Sequence, residues 1–226
     1  MTEVKTKPPI ARHAVILCHP APGSFNHTVA QTYVDTVREC GQDAIVRDLY
    51  ALGFDPTLKA SERPTQDDFV LSPDVAAEIE AIRDCDVFVL VYPIWYGTPP
   101  AMLKGYVERV FGSGINPKTV QTRSAEGFLA GKRLISFTSS GASDAWLNEQ
   151  GELLSLRSLF DRYLVHAFAM RGEQHVHFSR IVSGMAERFV NENLFAVRDR
   201  ARHVCSELLM EQHHKATAAI RQNETI

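Results

Sequence analysis

The sequence predicts an open α/β fold, with five parallel strands in the order 2-1-3-4-5 and helices on both faces of the sheet. Three observations predict it. Strand-like and helix-like segments alternate five times along the chain. The segment Asp86–Val91 (DVFVLV) is apolar throughout after its first residue, as a parallel strand covered on both faces must be. A length of 226 residues with 45% hydrophobic content suits one α/β domain carrying a long loop or an added helix. Alternation and right-handed crossovers fix the layers, whereas the strand order is taken by analogy with doubly wound sheets.

The chain reads as a single domain spanning 1–226, of which residues 1–12 are a frayed arm. His13–Cys18 (HAVILC) is a short apolar run, the mark of a buried strand. It stops at His19-Pro20-Ala21-Pro22-Gly23, and Ser24 or Asn26 then caps a helix reaching Cys40, with Gly41 as its stop. Asp43–Leu49 forms the second strand. Tyr50–Ser72 is a long mixed stretch with two prolines and several charges, expected as a surface excursion. Ser72-Pro73 opens a helix to Arg83, Asp86–Val91 is the third strand, and Pro100–Phe111 is helical. Lys132–Thr138 (KRLISFT) is the fourth strand and Val165–Met170 the expected fifth, with a helical segment around Glu152–Leu164 between them. Met185–Met210 reads as a long amphipathic helix, followed by a polar tail over 213–226.

Composition bounds the function. A formal net charge of −3 argues against a nucleic-acid partner, which calls for a basic surplus. No apolar run approaches the roughly 18 residues of a membrane span, so no membrane insertion is expected. The polar start MTEVKTKPPIARH lacks a secretory apolar segment, which makes the cytoplasm the default setting. Cys18, Cys40, Cys85 and Cys205 are scattered without CxxC or zinc-type spacing, and Cys18 and Cys85 read as small apolar residues in or beside strands. His175 and His177 have a strand-like spacing that could hold a metal, but no third ligand is in view and no metal site is expected.

Ligands of open parallel sheets bind at the carboxyl ends of the strands, where the strand order reverses. Three loops converge there. In residues 19–28 (HPAPGSFNHT), a buried strand runs into a helix N-terminus whose unpaired N–H groups bind phosphate well. Ser24, Asn26, Thr28 and His19 add side-chain donors; the same residues also suit a capped helix start with no ligand. Residues 92–100 (YPIWYGTPP) set Trp95 and Tyr96 between prolines, as walls for a flat ligand or as packing against a neighbouring loop or subunit. Residues 138–146 (TSSGASDAW) carry small hydroxyl residues that let backbone donors approach an electron-rich ring edge. Neither GxGxxG nor GxxxxGK[ST] is present. In the helix after the second loop, Leu103, Val107 and Val110 are core by spacing, while Lys104, Glu108 and Arg109 read as surface or interface charges.

The stretch YPIWYGTPPAMLKGYVERVF (92–111), the loop HPAPGSFN (19–26) and RDLYALGFDP (47–56) together resemble the flavodoxin-like NAD(P)H:quinone oxidoreductases of the DT-diaphorase type. The resemblance covers residues 13–146 and is much thinner beyond. It implies a flavin, FAD by the Ser-Phe-Asn loop or otherwise FMN, with NAD(P)H as co-substrate and a quinone-like acceptor. By position, His19, Ser24, Phe25 and Asn26 would hold the phosphate arm. Pro93, Ile94, Trp95 and Tyr96 would line the flavin ring, with Thr138, Ser139 and Gly141 at its pyrimidine edge. Trp146 and Tyr96 are the implied residues at the reacting face. Two departures stand out. The aromatic loop is one residue shorter than in the animal members, and 146–152 (WLNEQGE) holds neither the tyrosine nor the histidine that those members place over the flavin.

The mechanism implied is ping-pong: hydride passes from NAD(P)H to the flavin, and a quinone then takes the nucleotide's place. A homodimer is implied as well, the partner closing the site near Trp146 and residues 92–99. The alternatives are a flavodoxin-type electron carrier, a regulatory subunit of a potassium-efflux system, and an azo or nitro reductase.

Overall fold

In the computed structural model, residues 10–65, 69–122 and 127–223 are described, with side chains as far as residue 218. Five parallel strands form one sheet in the order β2-β1-β3-β4-β5. They are β1 (Arg12–Leu17), β2 (Asp43–Asp48), β3 (Val87–Pro93), β4 (Arg133–Ser139) and β5 (Arg171–Phe178). The helices are α1 (Phe25–Glu39), α2 (Pro73–Ile82), α3 (Ala101–Tyr106), α4 (Pro117–Gln121), α5 (Asp144–Glu149), α6 (Glu152–Leu156), α7 (Arg162–Ala167) and α8 (Glu187–Asn223). Two widened π turns, Val107–Phe111 and Arg157–Asp161, continue α3 and join α6 to α7. Of the expected arm, residues 1–9 lie outside the described residues, and Arg12 already opens β1.

Strand alternation sends side chains to opposite faces, so each central strand feeds two cores. Ala14, Ile16, Phe88, Leu90 and Leu134 pack on the side of α2, α3 and α7. Val15, Leu17, Val89, Ile135 and Phe137 pack against α1 and α8 through Val29, Tyr33, Val197 and Ala201. Every residue of β3 is buried, as its apolar run requires. Cys18 and Cys85 are fully buried, and burial pushes their thiols up to about 12 and about 11, which keeps them unreactive.

Three expectations need correction. The fifth strand is Arg171–Phe178, and Val165–Ala167 instead ends α7. Ala167, Phe168 and Met170 are buried at a helix end and its turn, and a short apolar run does not distinguish that from a strand. The true β5 is an edge strand and reads as polar (RGEQHVHF). The tail from 213 is also not a separate segment, because α8 continues to Asn223. Its KATAAIRQ stretch contains strong helix formers and neither Gly nor Pro to stop it.

Arg109 is the third correction: it is a buried residue, 1% exposed. Its five N–H donors are all engaged, with Glu62 at 2.8 and 2.6 Å, Asp74 at 2.7 and 3.0 Å, and the Asp55 carbonyl at 2.5 Å. The guanidinium also lies 5.2 Å from the centre of the Phe54 ring. The excursion after β2 is thereby fastened to the helix that follows β3. Gly105 completes the attachment, since an added Cβ there would meet the Pro56 carbonyl at 2.2 Å.

Candidate functional site

The crossover from β1 goes to one side of the sheet and that from β3 to the other, so the strand order reverses between their carboxyl ends. A cleft of about 650 Å³ opens at that point. Its walls come from the ends of β1, β3, β4 and β5, and its volume lies within the usual range for small-molecule sites.

The β1 wall contributes His19, Gly23, Ser24, Phe25 and Asn26. Ser24 is the N-cap residue of α1, yet its hydroxyl caps nothing and is bound to His27 Nδ1 at 2.8 Å. The first-turn N–H groups of a 15-residue helix therefore face the cleft end with no side-chain acceptor from Ser24 and no acidic residue in the turn. His27 reaches on to Asp48 at 3.2 Å, which engages the nearby carboxylate. His19 Nδ1 is held by the Ala21 backbone, 3.1 Å from its N–H and 3.3 Å from its carbonyl, and partial burial holds this ring below the usual histidine range. Asn26 is buried and accepts from Ser139 Oγ at 3.1 Å, tying the start of α1 to the end of β4. Phe25 packs edge-on against Phe178 of β5, their centres 5.4 Å apart.

The β3 wall is Pro93, Ile94 and Trp95. Ile94 N–H donates to the Ser139 carbonyl at 2.7 Å, extending the pairing of β3 with β4 to the cleft floor. Trp95 and Thr98 then exchange backbone hydrogen bonds at 3.0 and 3.1 Å around a two-residue turn. Both central residues have positive φ, Tyr96 at 53° and Gly97 at 75°. Glycine takes this conformation without penalty, whereas tyrosine pays about 1–2 kcal/mol. The turn holds Trp95 against His19, ring centres 5.9 Å apart, and leaves 39% of the indole residue exposed.

The β4 wall is Ser139, Ser140 and Gly141. Bonded to it, with Ile181 N–H donating to the Ser140 carbonyl at 2.9 Å, is the loop between β5 and α8, which adds Ile181, Val182, Ser183 and Met185 to the cleft. This fourth wall was missed from sequence because the fifth strand was placed too early. The apolar pair Ile181-Val182 just past the polar strand was the available signal.

Three expected residues lie elsewhere. Tyr96 stands fully exposed at the tip of its turn, outside the cleft wall. Trp146 sits on α5, 48% exposed, and does not line the cleft. Thr138 is fully buried, with its hydroxyl between His175 Nε2 at 2.8 Å and His177 Nδ1 at 2.9 Å. The two histidines are thus partners of one hydroxyl rather than of each other.

The chain belongs to the flavodoxin-like fold family, whose model matches residues 11–204. It is 30% identical over 214 residues to an uncharacterized NAD(P)H oxidoreductase of Haemophilus influenzae, covering 94% of this chain and 99% of that protein. NAD(P)H dehydrogenase [quinone] 1 of Cavia porcellus is 29% identical over 155 residues, covering 61% of this chain. The chain spans 56% of that relative's length. Among solved structures, an FMN-dependent NADH-azoreductase of Bacillus anthracis in complex with FMN superposes with a TM-score of 0.64 at 14% identity. The superposition covers 87% of this chain and all of that one, and it speaks for the fold.

Proposed function

We propose that the cleft holds a flavin and that the protein passes hydride from NAD(P)H to a quinone-like acceptor. The observation that carries this reading is a single cleft lined both by an uncapped helix N-terminus and by a flat, half-exposed indole held on a two-residue turn. The residues fit the group. The α1 N-terminus offers N–H donors to a phosphate, with Ser24 and the His19 ring beside it. Pro93, Ile94 and Trp95 offer an apolar flank to a ring system, and Ser139, Ser140 and Gly141 offer a polar rim. A bound flavin would accept hydride from the nicotinamide and return it to the acceptor. The protein's own share is to bind, orient and shield that ring.

The Ser-Phe-Asn loop favours FAD, and FMN, the ligand of the superposed azoreductase, is the alternative. Exposed Tyr96 and Trp146 fit a homodimer in which a second copy supplies the missing roof. Among the described residues no helix is long and apolar enough to cross a membrane. The cytoplasm, where nicotinamide nucleotides are kept, is the setting we propose. An azo acceptor would use the same cleft, and the azoreductase superposition is the reason to include one in the assay.

The test is an absorbance spectrum of the purified protein with and without added flavin, followed by NADH or NADPH and then a quinone. Uptake of flavin, bleaching by nucleotide and recovery with quinone are expected, with the nucleotide identified after release by chromatography. A protein that takes up neither FAD nor FMN would overturn the reading.

A further inference from the structure

Behind the polar rim runs an unbroken line of hydrogen bonds that flavin binding does not need. Asp161, 1% exposed, lies in the π turn before α7 and is bound to His175 Nδ1 and to Ser136 Oγ, the latter at 2.7 Å. No Lys or Arg forms an ion pair with it among the described residues, so His175 is its compensating partner. His175 Nε2 meets Thr138 Oγ1 at 2.8 Å, and Thr138 Oγ1 meets His177 Nδ1 at 2.9 Å. His177 Nε2 meets Ser140 Oγ at 3.0 Å, and Ser140 lines the cleft. Backbone bonds from Ser140 N–H to the Phe178 carbonyl and from Ile181 N–H to the Ser140 carbonyl, both 2.9 Å, hold that last residue in place.

Donor counting gives this line two proton arrangements. Thr138 has one hydroxyl proton and sits between two ring nitrogens, so it donates to one and accepts from the other. When it donates to His175, His177 carries its proton on Nδ1 and Ser140 donates inward to His177 Nε2. When it donates to His177, His175 carries protons on both nitrogens, His177 carries its own on Nε2, and the Ser140 proton is free to point into the cleft. The second arrangement contains one proton more than the first, stored as imidazolium on His175 against the carboxylate of Asp161.

We propose that Asp161, His175, Thr138, His177 and Ser140 form a proton path that stores one proton beside Asp161 and delivers it to the cleft through the Ser140 hydroxyl. The proposal rests on the reductase reading. Hydride carries an electron pair to the quinone, reducing it by two electrons and leaving one oxygen anionic. That oxygen takes the Ser140 proton, and Ser140 takes the Nε2 proton of His177. Nδ1 of His177 takes the proton of Thr138, which takes the Nε2 proton of His175. His175 ends neutral, still donating through Nδ1 to Asp161, and nothing in the path is oxidised. Water entering the open cleft restores the proton from the Ser140 end.

The surroundings divide the labour between the two rings. Burial first, then the neighbouring His175, push His177 down to about 4, so it conducts as a neutral ring; Asp144 of α5, held by Ser179 Oγ at 3.0 Å, pulls the other way. Tyr92 of β3, beside Ser136 and Asp161, is held far above the usual phenol range by burial and stays neutral. Glu173, on the same face of β5 by alternation, is paired with Arg162.

The decisive measurement needs no flavin. In ¹⁵N-histidine-labelled protein, NMR reports which nitrogen of each ring carries a proton as pH falls from 9 to 4. The proton of His177 is expected to move from Nδ1 to Nε2 as His175 gains its second proton, both at one midpoint. Thr138→Val should uncouple the two changes and Thr138→Ser should restore the coupling. A wild-type His177 that keeps one tautomer through the titration of His175 overturns the path. In flavin-loaded enzyme, Thr138→Val should slow the acceptor step about 100-fold, the lower end for lost proton transfer, with recovery in Thr138→Ser. Quinone reduction at the wild-type rate in Thr138→Val overturns the path and leaves the reductase reading standing. No flavin uptake with the tautomer change intact overturns the reductase reading and supports a proton path into the cleft.

Discussion

Replacing Arg109 by methionine should cost about 3–5 kcal/mol of folding stability. The side chain is 0% exposed and its main partner, the Glu62 carboxylate, is 4% exposed, so the substitution leaves a buried charge without its counterion. A second route gives a similar figure. The Arg109 guanidinium, despite the opposing cost of burial, holds the Glu62 carboxyl at about 2 instead of 4.5, worth about 3 kcal/mol. Because the folded carboxyl is the stronger acid, that stability is fully present above pH 4.5 and is lost as pH falls towards 2. Urea unfolding at pH 7, repeated at several protein concentrations, gives the loss from the shift in midpoint. Glu62→Gln in the Arg109→Met background should recover part of the loss, because the uncompensated charge is gone. Two results would refute the reasoning: a loss below about 1 kcal/mol for Arg109→Met, or a double-mutant cycle with no coupling between the two positions.

Three further outcomes are expected. Gly105→Ala drives a methyl group to 2.2 Å from the Pro56 carbonyl and should destabilise by about 1–3 kcal/mol or more, read as a lower melting temperature. His177, neutral in the fold down to about 4 but protonated in the unfolded chain below 6.5, should make stability fall by about 2–3 kcal/mol across that interval. Removing the imidazole in His177→Gln should flatten the pH 4–6.5 portion of the stability curve, and an unchanged slope would count against the assignment. Trp95→Ala, which removes the exposed indole flank, should weaken flavin binding up to about 10-fold by fluorescence titration, while thermal stability without flavin changes little.

Much of the architecture was legible in the chain because its signals are local. A central strand buried on both faces has to be apolar throughout, so β3 announces itself in DVFVLV, and the loop HPAPGSFN marks both the end of β1 and the start of α1. Nine of the residues expected around a flavin do line one cleft, since the strand ends that carry them are brought together by the sheet itself. Local signals failed where long-range pairing decides. The edge strand β5 looks polar because its polar residues are matched one by one to groups far away in sequence, Thr138 and Asp161 among them. Its true position moved a further loop to the cleft and set His177 behind Ser140.

The alternating α/β layers and the loops at the strand ends follow from the chain alone, because hydrophobic periodicity and turn residues act over a few positions. The burial of Arg109 as an anchor, and the service of Thr138 to two histidines instead of the cleft, emerge when distant segments pack together. Whether a polar side chain meets water or a partner depends on residues dozens of positions away, 47 for Arg109 and Glu62 and 37 for Thr138 and His175. No local pattern encodes that separation.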